Sequence, residues 1–145
     1  YLQLQPTFSH RKNEEAYLMQ ADQDLREHVV YMYDSVSKGD EEFLENFLSD
    51  QGDVLMIGTD SNEWLSEASI ITAQLKSQSV KLVPGNLVAH SEGSVGWVAD
   101  DGKFVRPDGG EAPFRMTAVF HRVNDEWKLV QAHTSIGVPN SELFD

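Results

Sequence analysis

The chain has 145 residues, 40% of them hydrophobic and 24% charged, with no cysteine and a formal net charge of −13. That length carries one domain with a proper core and is short for two. Disulfides, thiolate chemistry and cysteine-based zinc sites are excluded, and the composition fits a reducing, cytoplasmic setting. Eleven basic residues scattered among 24 acidic ones form no patch, which argues against nucleic acid. No apolar run approaches the ~20 residues of a membrane helix.

Residues 1–10, with Pro6 and no clear period, read as an extended lead-in to one domain over 11–145. From about Arg11 to Ser37, Leu18, Ala21, Leu25, Val29, Met32 and Val36 recur at three- and four-residue steps and predict a long amphipathic helix. Gly39 is its expected C-terminal signal and Asp40 the next N-cap. A short helix follows, apolar at Phe43, Leu44, Phe47 and Leu48. Val54–Gly58 fits a buried strand, and Asp60-Ser61-Asn62 is turn chemistry, with Asp60 placed as an Asx-turn residue. Ser66 or Glu67 is expected to open another amphipathic helix, which turns Ile70, Ile71, Leu75 and Val80 inward before Pro84-Gly85 breaks the pattern, and Trp64 is expected to pin the preceding loop over the sheet.

From Asn86 onward the chain reads as strand. Leu87–Ser91 and Val95–Asp100 flank a hairpin at Glu92-Gly93-Ser94, and Phe104-Val105 precedes a Pro107–Gly110 loop. Two long strands then meet at Asn124-Asp125, a pair that tolerates the positive φ of a tight turn. Simple alternation across that turn pairs Phe120 with Leu129, Ala118 with Gln131 and Met116 with His133. One face then carries Phe114, Met116, Ala118, Phe120, Trp127, Leu129, Gln131, His133 and Ser135. An apolar surface with a few polar groups set in it has the character of a ligand-cavity wall. The other face carries Arg115, Thr117, Val119, His121, Lys128, Val130, Ala132 and Thr134 and suits water or a second subunit. The order of helices, then strands, predicts an α+β domain with helices on one face of a sheet.

V-L-M-I-G-T-D with Glu63-Trp64 behind it, G-W-V-A-D at Gly96–Asp100, R-M-T-A-V-F-H-R at Arg115–Arg122 and E-W-K-L-V-Q-A-H-T-S-I-G-V-P-N at Glu126–Asn140 occur in an order that resembles the SnoaL-like branch of the nuclear transport factor 2-like superfamily. The resemblance runs from roughly Asp22 to the end. It implies a cystatin-like, nuclear transport factor 2-like roll: a strongly curved antiparallel sheet, or cone, with about three helices over its concave face. It also implies a homodimer packed through sheet surfaces. Enzymes, association domains and transport adaptors share that scaffold, so the site must decide between them. The acid-with-tyrosine set of ketosteroid isomerase relatives and the Asp-Arg-Asp set of limonene epoxide hydrolase relatives have no residue-by-residue match in this chain.

The expected cavity wall is Trp97, Met116, Phe120, Gln131 and His133, with Tyr31 or Tyr33 reaching in from the long helix. His133 is the one candidate catalytic residue. An imidazole there could move a proton near neutral pH, orient a ligand, or simply be a satisfied buried histidine. Asp100, three residues after Trp97, points to the opposite face and is not taken as a base. His28 stands beside the helix stripe, between rim and core. Arg115, Thr117, Val119 and Val130 are the expected dimer face. His10, His28, His90, His121 and His133 share no ligand spacing, so neither metal nor cofactor is expected. The leading expectation is a non-catalytic homodimer that binds a small apolar molecule or serves as an association module. Its rival is a lyase, isomerase or hydrolase of a hydrophobic carbonyl or polyketide-like substrate, working through a pocket histidine.

Overall fold

A computed structural model of the protein describes residues 18–144. The expected lead-in and the first turns of the helix expected from Arg11 lie outside the described residues. Within them, helix α1 spans Gln23–Lys38, α2 spans Glu41–Asn46 and α3 spans Ala68–Lys76. Ten strands accompany them: β1 (Gln20–Ala21), β2 (Leu55–Ile57), β3 (Trp64–Leu65), β4 (Lys81–Val83), β5 (Val88–Glu92), β6 (Val95–Asp100), β7 (Lys103–Val105), β8 (Glu111–Pro113), β9 (Arg115–Val123) and β10 (Glu126–Ser135). Seven strands form one sheet in the order β1-β5-β6-β9-β10-β2-β3, and β4, β7 and β8 form a second of three. The α+β class and the three helices are as the sequence implies. The sheet is not wholly antiparallel, because β2 runs parallel to β10.

Helix α1 begins later than the apolar period suggests. The Asp22 carboxylate accepts from the Leu25 amide at 2.9 Å, a side-chain N-cap, while the Asp22 amide donates to the Ala89 carbonyl. The residues just before it therefore continue as strand β1 against β5, and Leu18, counted in the helical stripe, is exposed. Asp22 also accepts from Ser91 Oγ at 2.7 Å and pairs with Arg122 at 3.2 Å, which anchors the helix start to the sheet. Gly39 ends α1 and Asp40 caps α2, as expected. Along α1, Leu25, Val29, Met32, Tyr33 and Val36 are buried against the inner face of the large sheet. Gly96 makes that docking possible. A Cβ at this position would lie 2.5 Å from Leu25 Cδ2 and 3.1 Å from the Trp127 ring, so only a bare backbone lets the helix approach.

The helix expected to open at Ser66 or Glu67 spans Ala68–Lys76, with Glu67 at its N-cap, so Val80 lies beyond its end. Trp64 sits on the short edge strand β3, opposite Ile57, and is 67% exposed. Of the residues assigned inward on this helix, Ile71 and Leu75 are buried, and Ile70 faces solvent.

The decisive departure lies in the last hairpin. Asn124 and Asp125 take φ of 51° and 62° and Val123 faces Glu126, as the turn chemistry implies. Phe120 pairs with Leu129. The register then shifts by one: Val119 faces Gln131, Ala118 faces Ala132, Thr117 faces His133 and Met116 faces Thr134. Val130 is the extra residue of a β-bulge, and beyond it every side chain of β10 changes face. The bulge falls where β10 changes neighbours. Leu129 exchanges backbone hydrogen bonds with Phe47 and Ser49, and from Gln131 onward the neighbour is β2.

Candidate functional site

A cavity of about 250 Å³ lies between α1 and the inner face of the large sheet. Its walls come from Met32, Tyr33 and Val36 of α1, Met116 and Ala118 of β9, Leu129, Ala132 and Thr134 of β10, and Phe114. Met56 to Thr59, Glu63, Gln74, Leu75, Gln78, Leu82 and Phe104 close the sides. Central space exists because one cross-strand row is built from small residues: Ala89, Val98, Ala118 and Ala132. A row of larger side chains there would fill the gap under α1.

Of the residues expected to line this space, Met116 and Tyr33 do so. Phe120 points inward but is fully buried core, packed near Phe47 and His28 rather than at the cavity. Gln131 and His133 are on the outer face and exposed, because the bulge at Val130 reverses their side. Ala132 and Thr134 take the inward positions instead. Trp97 is also on the outer face, opposite Val119 and stacked on His90 with ring centroids 6.2 Å apart. Tyr31 is 53% exposed and packs edge-on against Phe43 at 4.8 Å, away from the cavity. Arg115, Thr117 and Val119 are exposed on the outer face and Val130 is half-buried.

Tyr33, the other tyrosine expected to reach in from the long helix, lines the cavity and is paired behind its wall with Asp100, a pairing the sequence does not show. Tyr33 Oη donates to Asp100 Oδ2 at 2.8 Å and lies 3.8 Å from Met116 Sδ. Asp100 Oδ1 accepts from the Gly85 amide at 3.0 Å. Tyr33 is 2% exposed and Asp100 5%. Burial, reinforced by the hydrogen bond to Asp100 and its charge, raises the phenol well above its ordinary pKa. Tyr33 therefore stays protonated and its proton is committed to the carboxylate, leaving the phenol oxygen's lone pairs for anything in the cavity. The signal for Asp100 was present: Gly96, Val98 and Asp100 alternate inward on β6, opposite Trp97. An acid at an inward strand position implies a buried partner; which residue supplies it depends on how α1 crosses the sheet.

A second polar group stands at Glu63. Its carboxylate accepts from the Asp60 amide and from Gln74 Nε2, each at 2.9 Å. Asp60 itself makes the expected Asx turn, accepting from the Asn62 amide at 3.1 Å. Gly58 is required here, since a Cβ would lie 2.6 Å from Glu63 Oε2. Among the described residues, no histidine, lysine or arginine lines the cavity, and no group of acidic residues and histidines is arranged to hold a metal ion. No described helix is long and apolar enough to cross a membrane.

A family model described as a SnoaL-like domain matches residues 25–139. The chain belongs to this family. Solved structures with the same fold include an NTF2-like protein of unknown function from Pseudomonas putida KT2440, at TM-score 0.68 and 14% identity over 81% of this chain and 87% of that one. Another is an NTF2-like protein with a cystatin-like fold from Novosphingobium aromaticivorans, at TM-score 0.64 and 13% identity over 90% of each chain. A third is the association domain of C. elegans CaMKII, at TM-score 0.64 and 16% identity over 78% of this chain and 93% of that one. No curated protein matches. At these identities the structural neighbours establish the SnoaL-like chain's fold and leave its function to its own residues.

His28 belongs to the opposite end of the helix–sheet interface. Its ring stands 5.8 Å from Phe43, 5.9 Å from Phe47 and 6.1 Å from Phe120, and Nε2 is shielded from solvent with no hydrogen-bond partner. Burial first, then the Lys128 charge, lowers its pKa from 6.5, against the opposing pull of Glu126 and the Trp127 backbone. A depressed histidine pKa means that the unfolded chain takes up the proton first as pH falls. The stabilisation is complete above about 6.5 and is lost as pH drops from there towards the folded-state pKa. Urea midpoints measured from pH 7.5 to 5.0 should fall, and His28→Leu should flatten that fall. An unchanged pH slope in the variant would remove His28 as its source.

Proposed function

We propose that this SnoaL-like domain is a non-catalytic binding module. It holds a compact, largely apolar molecule in the cavity beneath α1 and self-associates through the outer face of the large sheet. The observation that carries the ligand half is the partly open, mostly hydrophobic space of about 250 Å³ with polar groups at only a few positions. That volume is just below the roughly 300–1,000 Å³ of drug-sized sites, so a small occupant is favoured. The rival lyase, isomerase or hydrolase reading relied on a histidine in the pocket. With His133 on the outer face and no described histidine in the lining, that proton shuttle has no group to perform it.

The association half draws support from the outer face. Val88, Val95 and Val119 are exposed there beside Trp97, with Arg115, Thr117, Gln131 and His133 around them. Exposed apolar side chains clustered on one sheet face are a recurrent mark of protein contact. Sedimentation equilibrium at micromolar concentration should give about twice the chain mass. Val119→Asp, which places a charge in the middle of that face, should shift the protein to monomer without changing its far-UV circular dichroism. A wild-type monomer under these conditions ends the dimer reading. The ligand half is tested by calorimetric titration with compact apolar alcohols, and failure of every member to bind would end it.

A further inference from the structure

The cavity has a polar end and an apolar end, and their arrangement follows from the sheet register. Asp100, Met116 and Thr134 are cross-strand neighbours in one inward row, and Tyr33 Oη lies over Asp100 and Met116. Ile57 pairs with His133, so the Gly58–Thr59 segment leading to Glu63 continues beside Thr134. The next inward row is Val98, Ala118, Ala132 and Met56, which has no polar side chain. A ligand lying across the two rows meets hydrocarbon at one end and oxygen at the other.

The oxygens share one chemical bias. The Tyr33 proton is committed to Asp100, so Oη presents lone pairs. Each Glu63 carboxylate oxygen accepts one hydrogen bond from the protein and keeps capacity for another. Glu63 is the one charged side chain among the described lining residues, and Asp100 stands one hydrogen bond behind Tyr33. The Thr134 and Thr59 hydroxyls and the Gln74 and Gln78 amides can act either way, and none brings a positive charge. An anion placed here would be desolvated beside a carboxylate with no cation to offset it. A donor head group would instead satisfy the waiting lone pairs.

We propose that the cavity selects compact apolar molecules whose head group donates a hydrogen bond, an alcohol, phenol or amine, and that Glu63 excludes their carboxylate counterparts. The inference rests on the cavity being the binding site and adds the chemistry of the occupant.

Isothermal titration of the full chain at pH 7.5 with four matched probes tests it: para-isopropylbenzyl alcohol, para-isopropylbenzylamine, para-isopropylbenzaldehyde and para-isopropylbenzoate. The alcohol and amine should bind, the aldehyde several-fold more weakly, and the benzoate at least about ten-fold more weakly than the alcohol. Glu63→Gln keeps the shape and the acceptor for the Asp60 amide while removing the charge. It should narrow the gap between benzoate and alcohol to within about three-fold and weaken the amine. Benzoate or aldehyde binding the wild type as tightly as the alcohol would overturn the selectivity and leave the cavity as a binding site. A benzoate gap unchanged in Glu63→Gln would overturn the role given to Glu63. Binding by none of the four would instead bring down the binding-module reading itself.

Discussion

Asp100→Ala should be among the most destabilising single substitutions in the protein, at about 2–5 kcal/mol in denaturant unfolding. The carboxylate is the acceptor for two donors, the Tyr33 phenol at 2.8 Å and the Gly85 amide at 3.0 Å. Alanine would strand the Tyr33 phenol in a site shielded from water, at roughly 1–3 kcal/mol for a buried donor left unpaired, and would release the Gly85 amide at an exposed position, where water can replace part of the lost bond. Removing a buried carboxylate also relieves its own desolvation, which offsets part of that loss. Tyr33→Phe should cost less, about 1.5–3 kcal/mol, because it removes one charge-assisted hydrogen bond and leaves Asp100 its second donor. The double variant should cost less than the sum of the two singles, since each has already broken the shared bond. Strict additivity, or an Asp100→Ala penalty under about 1 kcal/mol, would mean that the pair does not clamp α1 to the sheet.

The second large effect is functional. Ala118 and Ala132 are cross-strand partners and both line the cavity. Ala118→Leu combined with Ala132→Leu would put branched side chains into the space a ligand needs. Affinity for the para-isopropylbenzyl alcohol probe should fall by at least about a hundred-fold, as expected when several buried apolar groups are displaced. Stability should hold or rise, because filling an apolar void restores packing contacts, provided the added carbons fit without strain. Val119→Leu, next to Ala118 in the chain but on the outer face, serves as the control and should leave ligand affinity unchanged. Calorimetry on the three proteins reads the contrast directly. Undiminished binding by the double variant would place the ligand elsewhere.

The sequence places Tyr33 and Ala118 on the cavity side but turns Ala132 and Asp100 away from it, and for Ala132 the reason is local. His133 and Gln131 were assigned inward by counting twos from the Asn124-Asp125 turn. The count is correct as far as Leu129, where Trp127 and Leu129 are buried as alternation requires. One unpaired residue, Val130, then reverses it. A bulge at Val130 carries no glycine and no polar punctuation, so the chain itself does not advertise it. Ala132 and Thr134 were the small residues left for the outer face, although small residues also suit a wall that must leave room. Tyr33 and Asp100 are 67 positions apart and meet only because α1 crosses β6 at that point.

The sequence by itself determined the class of the protein. Helical spacing from Leu25 to Val36, the Gly39 and Asp40 signals, the Asn124-Asp125 turn and the ordered motifs from Val54 to Asn140 are local or nearly local features, and local geometry depends on neighbours in the chain. Tertiary structure alone decided which face of β10 looks inward past Leu129, that β2 joins β10 in parallel, and that the described cavity lining carries Tyr33, backed by Asp100, and Glu63 but no histidine. Those outcomes depend on non-neighbours: the pairing of Phe47 and Ser49 with Leu129, the docking of α1 over Gly96, and the closure of Glu63 onto Gly58. Alternation along one strand is a rule about successive residues, and a single unpaired one is enough to turn the remainder over.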